Sequence, residues 1–219
     1  LYREILMQHK INSVRALMKD NSIDLLVLGP GTHLKWLLGF SPAQDERPSV
    51  LLIGKEKEIF LIPSVNAEDV RRKTDIKINI WKDENGPDQA LKEALLYIDE
   101  SSAKHIAIDE AMRAHFALIV IDALPNPTHE FTGSTIGALR MRKDQTEFIN
   151  LKENALIDDR AMQAGFAAIK EGITELEIGE AINKHFISEG AKPQFCIVGS
   201  GPNGAFPHHH TGDRKVEQL

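Results

Sequence analysis

The sequence of 219 residues lacks the features of disulfide-bonded, membrane-spanning and nucleic-acid-binding proteins. Its single cysteine, Cys196, rules out a disulfide within the chain and favours a reducing compartment, the cytoplasm. No apolar run approaches the roughly 20 residues of a membrane span, and the N-terminus lacks the basic-then-apolar order of a signal peptide. The net charge is −6 and no long basic run exists. We therefore expect neither a membrane nor a nucleic acid as a partner.

What the sequence does contain is an ordinary globular composition, with 42% hydrophobic and 26% charged residues. Residues 23–28 are a short apolar run, typical of a buried strand. Residues 50–53 and 58–62 are two further runs around a short connection with a glycine, which predicts a hairpin. Such runs alternate with helical patterns up to about Gly137. The prediction for residues 1–137 is an α/β domain with a mixed sheet.

The pattern changes in residues 138–219, which we assign to a second, incomplete domain. Residues 144–171 predict a long helix whose apolar stripe is expected to pack on a sheet. Thr174 and Glu177 have the spacing of a capping box, which predicts the start of a second helix at this point.

The stretch most typical of a functional site follows that helix. Residues 195–198 predict a short strand, residues 199–204 a glycine-rich turn, and His208, His209 and His210 come next. The histidines fit three interpretations: solvated surface groups, one functional imidazole with two bystanders, or a three-histidine metal site. Adjacent residues of an extended loop point to different sides, which disfavours the metal site. Ser200 has no nucleophile-elbow context, and Cys196 lies in an apolar run typical of an inert cysteine.

Four segments resemble one protein family. They are IVGSGPNGAFPH at residues 197–208 with DRK at 213–215, RMRKDQTEFI at 140–149, GITE at 172–175, and WLLGF at 36–40. Together they closely resemble the Xaa-Pro peptidases, prolidase and aminopeptidase P, of the creatinase/methionine aminopeptidase superfamily. Each segment is modest by itself, and their order along the chain makes the resemblance specific.

The resemblance implies a creatinase-type N-terminal domain followed by the first part of a pita-bread α+β catalytic domain. It implies hydrolysis of the peptide bond that precedes proline, with a proline-containing peptide as substrate. The family uses two divalent metal ions, commonly manganese, with cobalt or zinc as alternatives, held by two aspartates, one histidine and two glutamates. The position of His208 is not a metal ligand in the family: it contacts substrate beside the metals, where an imidazole can transfer a proton.

The resemblance also implies what this chain lacks. The first aspartate ligand of the family lies beyond the position of Leu219, so no metal ligand is assigned and residues 1–219 are expected to be an inactive fragment. Two alternatives stay open: a creatinase-like hydrolase without metal, and a non-catalytic domain that binds peptides or proteins. The choice between dipeptidase and aminopeptidase also stays open. By analogy with family homodimers, Trp36 and Arg47 are further candidates for substrate binding across a dimer.

Overall fold

The computed structural model describes residues 2–218, and the chain divides into two compact units. The N-terminal unit is Leu1–Arg142 and the C-terminal unit is Lys143–Leu219. None of the helices within residues 2–218 is both long enough and apolar enough to cross a membrane.

The N-terminal unit alternates helices with strands, as its sequence pattern predicts. In chain order its elements are α1 (Tyr2–Asp20), β1 (Leu25–Leu28), α2 (Thr32–Leu38), β2 (Val50–Ile53), β3 (Glu58–Pro63), α3 (Ser64–Arg71), β4 (Ile78–Trp81), α4 (Asp88–Tyr97), β5 (His105–Ile108), α5 (Ala114–Asp122), β6 (Thr128–Phe131), a 3-10 turn (Thr132–Ser134) and α6 (Ile136–Met141). The last helix, α6, is an addition to the predicted elements, and the side chain of Thr135 makes no cap hydrogen bond at its start.

The strands form one six-stranded mixed sheet in the order β4-β3-β2-β1-β5-β6. The predicted hairpin of β2 and β3 is confirmed: Val50 pairs with Leu61 and Ile53 with Glu58 in antiparallel register. Strands β1, β5 and β6 run parallel to one another, so their carboxyl ends share one edge of the sheet. The predicted α/β class with a mixed sheet is therefore confirmed.

The core of this unit lies on both faces of the sheet. Side chains alternate along β1, so that Leu25 and Val27 pack with α4 and α5, whereas Leu26 and Leu28 pack with α1 and α2. All four residues of β1 and of β2 are buried, which explains why their sequences are continuous apolar runs. Burial at both faces makes this sheet the rigid part of the N-terminal unit.

The C-terminal unit is built on two helices, α7 (Gln145–Ala168) and α8 (Glu175–Ser188). The predicted capping box of α8 is confirmed: Glu177 N–H donates to Thr174 Oγ1 at 3.1 Å, and Thr174 N–H donates to Glu177 Oε2 at 2.8 Å. Asp144 and Glu147 form the same motif at the start of α7. Ala161 on α7 and Ile178 and Ile182 on α8 form the small core between the helices.

Two expectations for this unit are wrong. Residues 195–198 form no strand, because no neighbouring strand within the described part of the unit exchanges backbone hydrogen bonds with them. The predicted stripe on α7 is largely exposed, with Phe148 at 55% and Phe166 at 64%, because the described C-terminal unit contains no sheet that could cover it. Both errors have one cause: each expectation needs a partner element far along the chain, and the described residues do not supply it.

Candidate functional site

The glycine-rich stretch forms a loop that leaves α8 and returns to its start. After residues 191–200, which belong to no helix or strand, the chain turns through a 3-10 helix at Gly201–Ala205. It then comes back to α8, where Gly212 O accepts a hydrogen bond from Leu176 N–H and Arg214 O accepts one from Glu175 N–H. The first turn of α8 therefore forms backbone hydrogen bonds with residues 212 and 214, at the end of the loop.

A buried carboxylate joins the two ends of this loop. Glu175, the first residue of α8, is 0% exposed. Its Oε1 accepts hydrogen bonds from Ser200 N–H at 2.7 Å, Ser200 Oγ at 2.9 Å and Asn203 Nδ2 at 2.9 Å. Its Oε2 accepts from His209 Nε2 at 2.8 Å and from Gly212 N–H at 3.4 Å. All five donors belong to the loop, so one side chain fixes the loop both before and after its turn.

These donors decide the charge of Glu175. Burial alone would raise the pKa of its carboxyl, but the hydrogen bonds from Ser200, Asn203 and His209 outweigh burial and hold the pKa far below its ordinary value. The position at the N-terminus of α8 favours a negative charge as well. An ionised carboxylate can only accept hydrogen bonds, so the Nε2 atom of His209 carries a proton.

Two glycines are required for the turn of the loop. Gly201 has φ +51°, a left-handed conformation, and a side chain there would also meet the guanidinium of Arg214 at 2.9 Å. Gly199 lets the backbone approach closely, since a Cβ at this position would lie 3.0 Å from the carbonyl oxygen of Asn203. The glycines thus permit the tight path that brings Ser200 and Asn203 to Glu175.

The structure separates the three neighbouring histidines. His209 is turned inward, with 17% of its side chain exposed and its ring bonded to Glu175. His208 and His210 are exposed on either side of it. His209 therefore has a structural partner, and His208, the residue that the sequence singles out, presents its imidazole at the surface of the loop.

Neither Ser200 nor Cys196 has the setting of an activated nucleophile. The hydroxyl of Ser200 donates to Glu175 rather than to a basic histidine. Cys196 is half-buried, and burial raises the pKa of its thiol, which disfavours the reactive thiolate.

Trp36 and Arg47, the other predicted site residues, lie in the N-terminal unit. Trp36 is half-buried on α2, and the Lys10 ammonium lies 4.2 Å from its ring centroid. The Arg47 Nε donates to Asp83 Oδ1 at 3.0 Å, and Nη1 donates to Glu46 Oε1 at 2.7 Å. The hydrogen bond to Asp83 raises the pKa of the guanidinium. Both side chains thus have partners within their own unit.

One group in the described residues has potential metal ligands close together. His33, Asp109 and Glu110 each place one ligand atom within 4.8 Å of the others, at the edge where β1 and β5 end. The group does not suit a metal ion, because Arg140 Nη1 donates to His33 Nδ1 at 2.9 Å and the proton must then sit on Nε2.

Among the side chains that the structure describes, those of residues 5–218, no other three such ligands lie this close together, so no donor set there fits the dinuclear metal site of the resembled family. The group around His33 is instead a hydrogen-bond chain. The ring Nε2 lies 3.1 Å from Thr132 Oγ1, which donates to Glu110 Oε2 at 2.7 Å. This chain ties α2 to the end of β6, which is a structural role for the histidine.

No functional role is predicted for Glu175 from the sequence, although the sequence contains a signal that this residue is buried. Glu175, Ile178, Gly179 and Ile182 are spaced three, four and seven residues apart, so helical geometry places the carboxylate on the buried face of α8. A charged residue on an apolar face requires partners. The signal predicts a buried, bonded carboxylate but does not identify its donors.

The chain matches two protein families along its length. Residues 10–142 match the Creatinase/Prolidase N-terminal domain, and residues 150–218 match Metallopeptidase family M24. A probable dipeptidase PepE from Mycobacterium tuberculosis is 26% identical over 205 residues, covering 91% of this chain and 53% of the relative. An Xaa-Pro dipeptidase from Pyrococcus horikoshii is 24% identical over 219 residues, covering 97% of this chain and 58% of the relative.

A solved structure supports the same fold. The crystal structure of dipeptidase PepE from Mycobacterium ulcerans superposes with a TM-score of 0.87 at 24% identity, covering 98% of this chain and 58% of that one. At this identity the likeness shows the fold alone. The chain thus spans little more than half the length of the proteins that it matches.

Proposed function

The chain belongs to the creatinase/prolidase family, with residues of the M24 metallopeptidase family after its N-terminal domain, and from this premise we propose that the whole protein is an Xaa-Pro peptidase. It would hydrolyse the peptide bond that precedes proline, with a proline-containing peptide as substrate. The observation that carries the proposal is the succession of the two family matches, residues 10–142 and 150–218, along one chain. The name Xaa-Pro dipeptidase of the Pyrococcus horikoshii relative supports the choice of substrate.

His208 is the residue that we propose acts on the substrate. Its imidazole is exposed on the loop, next to a neighbour that Glu175 holds inward. An imidazole in such a place can bind the groups around the scissile bond and hold or donate a proton there. Trp36 and Arg47 remain predictions as substrate contacts across a homodimer, and the homodimer and the cytoplasmic location remain predictions too.

Metal use is a property of the M24 family, and two ions, manganese first and cobalt or zinc as alternatives, are part of the proposal for the whole protein. Since no donor set among the described side chains of residues 5–218 fits such a site, we propose that its ligands lie outside residues 1–219. Residues 1–219 by themselves are then expected to be inactive.

Hydrolysis of Xaa-Pro and Xaa-Ala dipeptides, with and without Mn²⁺, tests the proposal. The whole protein should release the first residue from Xaa-Pro in the presence of Mn²⁺, and residues 1–219 should release none. His208→Ala should lower kcat/KM by about 10²- to 10⁴-fold, the range for one acid–base group. His210→Ala is the matched control, because His210 is also exposed and also adjoins His209.

Three results would contradict the proposal. A whole protein inactive with both Mn²⁺ and Co²⁺ would favour a domain that only binds peptides. Full activity in a chelator would favour a metal-independent hydrolase. Turnover by residues 1–219 would refute the expectation that the metal ligands lie elsewhere.

A further inference from the structure

We propose that Glu175 is the positioning residue of the site: by holding both ends of the loop and the ring of His209, it sets the place of His208. The inference rests on the proposed function where it concerns catalysis. The placement of the loop itself depends only on contacts within the C-terminal unit.

Glu175 holds the loop on both sides of its turn. Ser200 and Asn203 contact Oε1 before the turn is complete, and His209 and Gly212 contact Oε2 after it. A side chain that closes a loop in this way removes most of its conformational freedom. His208 lies between the two anchored ends, so its backbone position depends on both.

His209 is held by both its ring and its backbone. The ring of His209 donates to Oε2 at 2.8 Å, while its backbone N–H donates to Phe206 O at 3.1 Å. This backbone hydrogen bond closes a turn over residues 206–209, and His208, one of its two central residues, is exposed. A loop without the Glu175 contact would lose a constraint that holds this turn in place.

The negative charge of Glu175 lets both of its carboxylate oxygens accept hydrogen bonds. A glutamine at position 175 has the same size but only one acceptor oxygen. That oxygen would face the three donors of Ser200 and Asn203, because the reverse orientation sets the amide NH₂ against all three. The NH₂ group would then face His209 Nε2, which could keep the contact only by giving up its proton. Glu175→Gln should therefore move the ring proton of His209 from Nε2 to Nδ1.

The experiment is ¹H–¹⁵N NMR of the histidine rings and backbone amides in residues 1–219. The wild-type protein should show a proton on His209 Nε2, and Glu175→Gln should show the Nδ1–H tautomer. Exchange of the Gly212 amide proton, which loses its acceptor, should become about tenfold faster or more, the change expected when a hydrogen bond worth about 1.4 kcal/mol is lost, whereas the Ser200 amide keeps its acceptor oxygen. Glu177→Gln is the matched control: it lies on the same helix and keeps the capping box, so it should change neither the tautomer of His209 nor the amide exchange rates.

A second pair of variants keeps the test valid if Glu175→Gln fails to fold. His209→Gln retains an N–H donor for Oε2 and should preserve slow exchange at Ser200, whereas His209→Leu should not. A wild-type His209 found as the Nδ1–H tautomer, or exchange in both His209 variants equal to that of the wild type, would overturn the assignment.

The kinetic arm uses the whole protein. Glu175→Gln should lower kcat about 10- to 100-fold with little change in KM, because a misplaced group costs mainly transition-state stabilisation. Glu177→Gln should have wild-type kcat. If the NMR results hold and the whole protein hydrolyses no Xaa-Pro bond, the proposed function fails and the loop assignment stands. Wild-type kcat in Glu175→Gln would overturn the positioning role.

Discussion

Asp109 in the N-terminal unit and Glu175 in the C-terminal unit are both buried carboxylates, yet they have opposite properties. Asp109 is 2% exposed and Glu175 is 0% exposed. Ala111 N–H donates to Asp109 Oδ1 at 2.9 Å, but Oδ2 is buried without a hydrogen bond of normal geometry to the described residues, and the nearby Gly29 N–H contributes only weakly. Glu175 has donors on both oxygens.

The difference in donors reverses the effect of burial. Burial raises the pKa of Asp109, and the hydrogen bond from Ala111 and the nearby His33 offset this only in part. For Glu175 the burial effect is outweighed by the hydrogen bonds of the loop, and the pKa falls. The comparison teaches that the number and placement of donors, rather than depth in the protein, decide which buried carboxylate can organise a site.

The largest effect is expected from Glu175→Ala. The change leaves the donors of Ser200, Asn203 and His209 without their acceptor, and a buried donor left unsatisfied costs about 1–3 kcal/mol. Amide exchange of residues 199–212 should accelerate strongly as measured by mass spectrometry. Glu180→Ala, an exposed position on the same helix, should change stability by less than about 0.5 kcal/mol. Equal effects of both variants would mean that the loop does not depend on Glu175.

The sign of the pH dependence separates the two carboxylates further. The pKa of Glu175 is lower in the folded than in the unfolded protein, where it is about 4.3. Its carboxylate therefore stabilises the fold above about pH 4.3, and this stabilisation is lost as pH falls toward the folded-state pKa. A raised pKa, as for Asp109, has the opposite sign: the cost is present above the folded pKa and disappears as pH falls below the unfolded value of about 3.9.

Asp109→Asn should therefore be less destabilising, or more stabilising, at pH 7 than at pH 4, by about 1 kcal/mol for each unit of pKa shift. Trp36 and Trp81 are the only tryptophans and both lie in the N-terminal unit, so their fluorescence during urea unfolding reports on this unit. Glu175→Gln serves as the control, since it should leave this fluorescence transition unchanged. An Asp109→Asn variant that becomes less destabilising, or more stabilising, as pH falls would contradict the raised pKa.

The two carboxylates also show what the sequence can predict. The strands at residues 23–28 and 50–62 and the capping box at Thr174 were predictable, because their signals lie within a few residues. The helical face of α8 could have revealed a buried Glu175 in the same way. Its donors could not be predicted, since Ser200 lies 25 residues away and Gly212 lies 37 residues away. The same limit explains the wrong strand at residues 195–198, whose pairing depends on non-local partners.

The smallest effect is expected at Glu189, a partly exposed carboxylate that tests whether strong donors alone suffice. The hydrogen bond from Arg160 is the main cause that lowers the pKa of Glu189 to about 2, with a further contribution from His185. Water also reaches this ion pair, since 26% of the Glu189 side chain is exposed, and solvated pairs stabilise proteins little. Glu189→Gln should therefore speed amide exchange at the end of α8 only slightly, and the change should be smaller in about 1 M NaCl, because salt weakens exposed ion pairs. Lys184→Gln, an exposed change one residue before His185, is the control for altered surface charge and should leave that exchange unchanged. If Glu189→Gln accelerated amide exchange as much as Glu175→Ala does, strong donors alone would account for the effect of Glu175. Exclusion of water from the carboxylate would then not be needed.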